Sequence, residues 1–577
     1  MRASRGRTLL LWSFLLVVTP TTLLVFSLSF GVDGYRDWGD RYDADLTHKY
    51  LFARHPTSGF VTPLWRDDIV AGTTWLPTLH VAPIALEVQA ARLFALSPFA
   101  IEFIAELVLI LTAALGMTGF ARAALGVSLE AAVAVGALHA AAIYTVYQNQ
   151  NIPEFAMPGA VFPGILAVTH LLHRTLEARR TAAAVLASAG LALLTVAGAV
   201  HSSPAVFPPL LPLTLLYACF VFRRAQMAMA VAGGLAVAMI AYSPFASILL
   251  DTALVSRRML AATGGGAGGV AEAVERLHGL LSQAISGPNS WGIDFVVLVG
   301  AWAWLVCGPR WRGAEVARRA LLFGFVLTGT LWIAYMCPGV VNDLKGRVAL
   351  LRNYSANRLP VFALFGVSAA TGWIIERWLT GMPGSEIATK RRWIFRGGLF
   401  LAGGVIILQI RRVGTSLPSI PATALDHRLV MLLLLTVFML ASLALLVLLW
   451  RVCATPASPA MQLNAVLLIV LSTTSLATVA GGIQAFAIPS GRWESAEAAT
   501  PMTFRQRYLV RPEYEFIRRH GAAEGRVVDL RFPAVASPRM FLGGSELTSL
   551  SLAGLRSADA YATLSPVVFG RLVVEVV

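Results

Sequence analysis

Residues 31–80 read GVDGYRDWGDRYDADLTHKYLFARHPTSGFVTPLWRDDIVAGTTWLPTLH. The stretch gathers Asp33, Asp37, Asp40, Asp43, Asp45, Asp67 and Asp68, whereas the whole 577-residue chain has 31 acidic residues. It follows the apolar run LLLWSFLLVVTPTTLLVFSLSF, which is long enough to cross a bilayer. A segment this acidic cannot lie in hydrocarbon. The run before it and the apolar runs after it are therefore separate spans, joined by a charged loop at the membrane surface.

Composition supports the same layout. The chain is 57% hydrophobic and 13% charged, with a mean hydropathy of +0.69. Soluble domains carry about 25% charged residues. Repeated apolar runs of span length specify an all-α polytopic membrane protein. The net charge of +15 is explained by basic loops facing anionic lipid and requires no nucleic acid. Cys219, Cys307, Cys337 and Cys453 lie in or beside apolar runs, far apart, with neither metal-ligand nor disulfide spacing. The opening MRASRGR plus its long apolar run reads as a retained signal anchor.

Expected spans cover residues 8–30, 99–121, 127–147, 158–173, 182–200, 204–222, 226–250, 292–308, 320–337, 358–380, 395–410, 429–450 and 461–487. With Arg2, Arg5 and Arg7 in the cytoplasm, the same side receives Arg122, Arg174, Arg179, Arg180, Arg223, Arg224, Arg310, Arg312, Arg318, Arg319, Lys390, Arg391, Arg392, Arg396 and Arg451. This is the distribution the positive-inside rule requires, and it puts residues 31–98 outside. The odd number of spans puts the C-terminus outside too. There PEYEFIRRHG reads as a short helix and GRVVDLRFP as a strand. The expected units are a signal-anchor span (1–30), an acidic outer loop with interfacial helices (31–98), a transmembrane bundle (99–487) and a small exported α/β segment (488–577).

Polar residues within or beside the spans are candidates for a substrate cavity. Glu102 and Glu106, four residues apart, share one helix face near the acidic loop. Glu102 either lines that cavity or sits at the interface. Glu154 closes an amide-rich outer turn, Tyr144–Phe155, which either contacts sugar hydroxyls or caps two helices. His139, mid-span, reads as a hydrogen-bonded packing histidine. The loop Cys337–Asn357, with Arg358 just beyond it, carries Lys345, Arg347 and Arg352 where an outer loop should be poor in cations. Holding a phosphate explains that, as does contact with lipid headgroups. A second outer loop, residues 251–290, joins GGGAGG at Gly264–Gly269 to an amphipathic run. It reads as linker and interfacial helix, or as a substrate lid. GxSxG, P-loop and HExxH motifs are all missing from the sequence.

The acidic loop itself admits three roles. One carboxylate within hydrogen-bond reach of a hydroxyl acts as general base. Two or more bind a divalent metal. Otherwise the acids are solvated and pair with Arg36, Arg41, Lys49, Arg54 and Arg66. Trp38, Tyr35 and Tyr42, beside them, are residues that sit at interfaces and stack on sugars.

The order of these segments resembles the GT-C membrane glycosyltransferases, and more narrowly the bacterial YfhO-like membrane proteins. The residues that carry the resemblance are Asp45 with HKYLF, Pro63-Leu64-Trp65, Ala71-Gly72, the span-leading NYSANRLPVFALFGVSAATGW (Asn353–Trp373), and the C-terminal YEFIRRHGAAEGRVVDL and LTSLSLAGLRSADAYATL. The resemblance implies a GT-C-like bundle of about thirteen spans in a bacterial inner membrane. It implies transfer of a sugar from a polyprenyl-phosphate carrier to an envelope glycan or lipid on the outer face. An aspartate soon after the first span is the family's usual base, which by position points to Asp37, then Asp40 or Asp45. Lys345, Arg347, Arg352 and Arg358 would steady the phosphate, and Trp38, Glu102, Glu106 and Glu154 would line the cavity. A divalent metal is possible, and none is specified by a ligand motif. The rival readings are a flippase for lipid-linked saccharide and a non-catalytic scaffold of envelope assembly.

Overall fold

The computed structural model describes residues 65–66, 73–74, 93, 100–150, 153–202, 207, 209–255, 315–336, 360–379, 404, 407, 411, 425–454, 463–464, 466–471, 475, 515–516 and 519–520. Nearly all are helical. The long helices are α1 (Ala100–Phe120), α2 (Leu129–Gln150), α3 (Pro153–Glu177), α4 (Thr181–Val200), α5 (Leu210–Phe222), α6 (Ala225–Val255), α7 (Glu315–Met336), α8 (Pro360–Leu379) and α9 (Leu425–Ala454). Each falls on an expected span. Expected spans 8–30 and 292–308 lie outside the described residues, as do most of 395–410 and of the C-terminal segment. In that segment Glu515, Phe516, Arg519 and His520 are helical, with Arg519 Nε donating to Glu515 Oε1 at 2.9 Å.

Two boundaries differ from the sequence reading for local reasons. In the amide-rich stretch Tyr144–Phe155, expected as a turn, residues 144–150 and 153–155 are helical. Pro153 opens α3 at the first helical position, where its missing N–H costs no hydrogen bond. Glu154 is therefore in the first turn of a helix and not in a loop. In the acidic loop, expected to hold interfacial helices, the described residues include an antiparallel pair of two-residue strands. These are β1 (Trp65–Arg66) and β2 (Thr73–Thr74), with Trp65 opposite Thr74 and Arg66 opposite Thr73.

Among the described residues, four helices are long and apolar enough to cross a membrane, within Ile104–Leu125, Glu154–Glu177, Thr181–Val200 and Ala225–Ser243. The core is formed by α1, α2, α3 and α8. Ala131–Val135, Ile143 and Tyr144 of α2, and Phe362, Ala363 and Phe365 of α8, are fully enclosed. Leu186 and Leu193 of α4, Ile240 of α6, Phe325 of α7 and Leu433 of α9 are instead exposed. A surface of leucine and isoleucine suits lipid as solvent. The protein is a multi-pass membrane protein.

Small residues set how closely the core helices approach. A Cβ at Gly116 would meet Gly164 N at 3.0 Å, and one at Gly159 would meet Val361 Cγ2 at 2.6 Å. Gly366 lies against the Gly324 carbonyl and Thr328 of α7, whose hydroxyl donates to Ala363 O at 2.9 Å. After α1, a π-helical turn (Ala121–Leu125) ends at Gly126 with φ +66°, the left-handed conformation glycine adopts without strain.

Candidate functional site

Among the described residues, arginines gather at one end of the bundle. Arg174 of α3 donates to Ala123 O in the π turn at 2.8 Å. Arg224, before α6, pairs with Glu177 at the end of α3 at 2.7 Å. Arg319 of α7 donates to Val221 O of α5 at 3.2 Å. The Ser128 amide, before α2, donates to Glu376 Oε2 near the end of α8 at 2.7 Å. These contacts bring the ends of α1, α3, α5 and α8 together with the starts of α2, α6 and α7. The arginines assigned to one side on sequence grounds, Arg122, Arg174, Arg179, Arg180, Arg223, Arg224, Arg318 and Arg319, thus share one end of the helices.

The opposite end holds buried acids. Helices α1 and α3 run parallel: the contacting pairs Gly116–Gly164 and Gly119–Ala167 are each 48 residues apart. Glu106 and Glu154 are also 48 residues apart, so the two carboxylates sit at one height, and both are buried, 0% and 3% exposed. Their faces differ. Glu106 heads the stripe Ala113, Met117 and Phe120, whose last ring stacks edge-on against Phe365 of α8. Glu154 heads the stripe that includes Val161, which packs on Gly198 of α4. The structure therefore brings the pair level without pointing both into one neighbour. Helix α8 begins at this same end, with Val361 against Gly159, five residues along α3 from Glu154. Glu102 lies in α1 one turn above Glu106, and its side chain is outside the described set. Asp37, Trp38, Asp40, Asp45, Lys345, Arg347, Arg352 and Arg358 also lie outside the described residues.

Below the acidic end, three core helices are fastened by a buried polar contact. His139 of α2 is fully enclosed; its Nδ1 lies 2.8 Å from Ser368 Oγ of α8 and its Nε2 lies 3.2 Å from Gly159 O of α3. The sequence explains why that carbonyl needs an outside donor. Its helical partner would be the amide of residue 163, and Pro163 has none. A carbonyl only accepts, so the neutral imidazole carries its proton on Nε2, and Nδ1 accepts the Ser368 hydroxyl proton. The sequence marked His139 as a packing histidine but gave no sign of Ser368, whose partner is 229 residues away. Pro163, inside an apolar span, was the one available signal.

Nearer the arginine end, His170 Nε2 lies 2.6 Å from Tyr217 Oη inside an aromatic cluster with Phe120, Phe222 and Phe323. Both polar groups are buried and satisfied by each other. Among the described residues, no group of three or more His, Cys, Asp and Glu is placed to hold a metal ion.

No protein-family profile matches the sequence, and no curated protein matches it. Among solved structures, the fold is similar to ArnT from Cupriavidus metallidurans in the apo state, at a TM-score of 0.47 and 14% identity, covering 84% of this chain and 78% of that one. It is also similar to the arabinofuranosyltransferase AftD from Mycobacteria, at a TM-score of 0.40 and 13% identity, covering 68% of this chain. The chain spans about a quarter of AftD, 26% of its length. Similarity this loose transfers no residue role.

Proposed function

We propose that the protein is a membrane glycosyltransferase of the GT-C type, moving a sugar from a polyprenyl-phosphate carrier to an envelope glycan or lipid on the outer face. The observation that carries this reading is the polarity of the bundle. Buried Glu106 and Glu154 share one height at the end opposite the arginines, and α8 starts at that same end. In sequence, Pro360 follows Arg358 by two positions, with Lys345, Arg347 and Arg352 shortly before. By the positive-inside rule the arginine end faces the cytoplasm. The acidic end then faces outward, on the side assigned to the loop bearing Asp37, Asp40 and Asp45.

In this scheme one of those aspartates takes the proton of the acceptor hydroxyl. The hydroxyl oxygen attacks the anomeric carbon, and the bond from that carbon to the carrier phosphate breaks. The phosphate leaves with the bonding pair, its charge stabilised by the Lys345–Arg358 cations. Glu106, on the α1 face turned toward α8, and Glu154 would border the sugar.

Purified protein supplied with polyprenyl-phosphate sugar tests the scheme. Transfer is expected to fall by a factor of about 10² or more in Asp37→Asn, Asp40→Asn or Asp45→Asn, the range in which a general base contributes. Full transfer with all three replaced together removes the base assignment. No transfer by the wild-type protein from any such donor, with saccharide-lipid translocation in vesicles instead, establishes the flippase reading.

A further inference from the structure

We propose that the arginine end holds a specific anionic phospholipid, its phosphodiester between the α3–α4 and α5–α6 turns. The two turns have one construction. Helix α3 ends at Glu177 and is followed by Arg179 and Arg180 before α4; α5 ends at Phe222 and is followed by Arg223 and Arg224 before α6. In each, the first arginine is left-handed, with φ 52° at Arg179 and 53° at Arg223. The Arg224–Glu177 ion pair at 2.7 Å joins one turn to the other, so four arginines, all exposed, share one patch. Glu177 neutralises one of them, and the patch keeps a surplus of cations.

A lipid fits this patch better than a free anion because of what lies beneath it. The 24-residue span Glu154–Glu177 is about 36 Å long, against about 30 Å of hydrocarbon. The arginines that follow it therefore sit at headgroup depth. Within two turns of them Val185 and Leu186 of α4 and Met229 of α6 are exposed, at 62%, 73% and 65%. Leu193, Val237 and Ile240 continue that apolar surface toward mid-membrane. Cations above exposed aliphatic side chains match a phosphodiester above acyl chains. Inorganic phosphate would use only the upper half.

The test is a thermal-shift titration of the full-length protein in neutral-detergent micelles with phosphatidylglycerol, phosphatidylcholine or inorganic phosphate. Phosphatidylglycerol is expected to raise the melting temperature saturably, and the other two to leave it unchanged. Each arginine near an anionic lipid surface is worth about fivefold in affinity. The triple variant Arg179→Gln, Arg180→Gln, Arg223→Gln should weaken the phosphatidylglycerol effect about a hundredfold. A second variant guards against misfolding. Arg179→Gly with Arg223→Gly relieves both left-handed positions, so it should melt no lower than wild type without lipid while also losing affinity. Undiminished affinity in either variant overturns the proposal, as does an equal response to inorganic phosphate or phosphatidylcholine. An absent response in the wild-type protein overturns it too.

Discussion

Replacing His139 by leucine removes a ring of similar size and leaves two polar groups of the membrane interior without their partner. The Gly159 carbonyl, 3.2 Å from Nε2, loses a donor that Pro163 cannot replace. Ser368, 2.8 Å from Nδ1, is better placed to recover, because a helical serine hydroxyl can turn to a carbonyl of its own preceding turn. An orphaned buried acceptor costs about 1–3 kcal/mol, whereas interhelical hydrogen bonds in membranes average about 0.6 and reach about 1.7 kcal/mol. We therefore expect His139→Leu to destabilise the bundle by about 2 kcal/mol, most of it at Gly159. The cause is exposed by a second change. Pro163→Ala supplies the missing amide, so in that background His139→Leu should cost about 1 kcal/mol less. Equilibrium unfolding by SDS in mixed micelles measures the four corners of this cycle. If the two costs add to within about 0.5 kcal/mol, the two residues are independent, and the link from Pro163 through Gly159 to His139 is refuted.

Glycine replacements should separate tight from open positions. Gly366→Ala drives a methyl into the Gly324 backbone and Thr328, and should cost about 1–3 kcal/mol in the same assay. Gly233→Ala meets nothing within 4 Å and should be neutral or stabilise α6 by up to about 1 kcal/mol. Tyr217→Phe removes the partner of buried His170 and should cost about 1–3 kcal/mol without changing glycosyl transfer in membranes. Glu106→Gln keeps the shape of the buried side chain and should raise KM for the sugar donor more than it lowers kcat, measured in the transfer assay. An unchanged KM removes Glu106 from the substrate cavity.

Much of the helical layout was legible because lipid imposes a simple rule: each crossing must be a long apolar helix with its backbone bonds satisfied internally. Runs such as 99–121 and 182–200 therefore appear as α1 and α4 almost unshifted. Arginine placement told which helix ends belong together, since charges avoid hydrocarbon whatever the packing. The Tyr144–Phe155 stretch misled because its amides resemble a turn, whereas α2 continues to Gln150 and Pro153 starts α3. Span 158–173 was read short at both ends, since α3 runs from Pro153 to Glu177 with prolines 158 and 163 inside it. In the folded bundle, Pro163 is accommodated by a histidine from another helix.

The sequence by itself determined that this is a helical membrane protein, because hydropathy acts on each segment alone. Only the tertiary structure decided that Glu106 and Glu154 are level, that His139 joins Ser368 to Gly159, and that two arginine turns meet at Glu177. Those relations depend on which helices are neighbours and in what register. Register follows from where small residues such as Gly116, Gly159 and Gly366 let backbones touch, which is a property of pairs of helices and is written in neither helix separately.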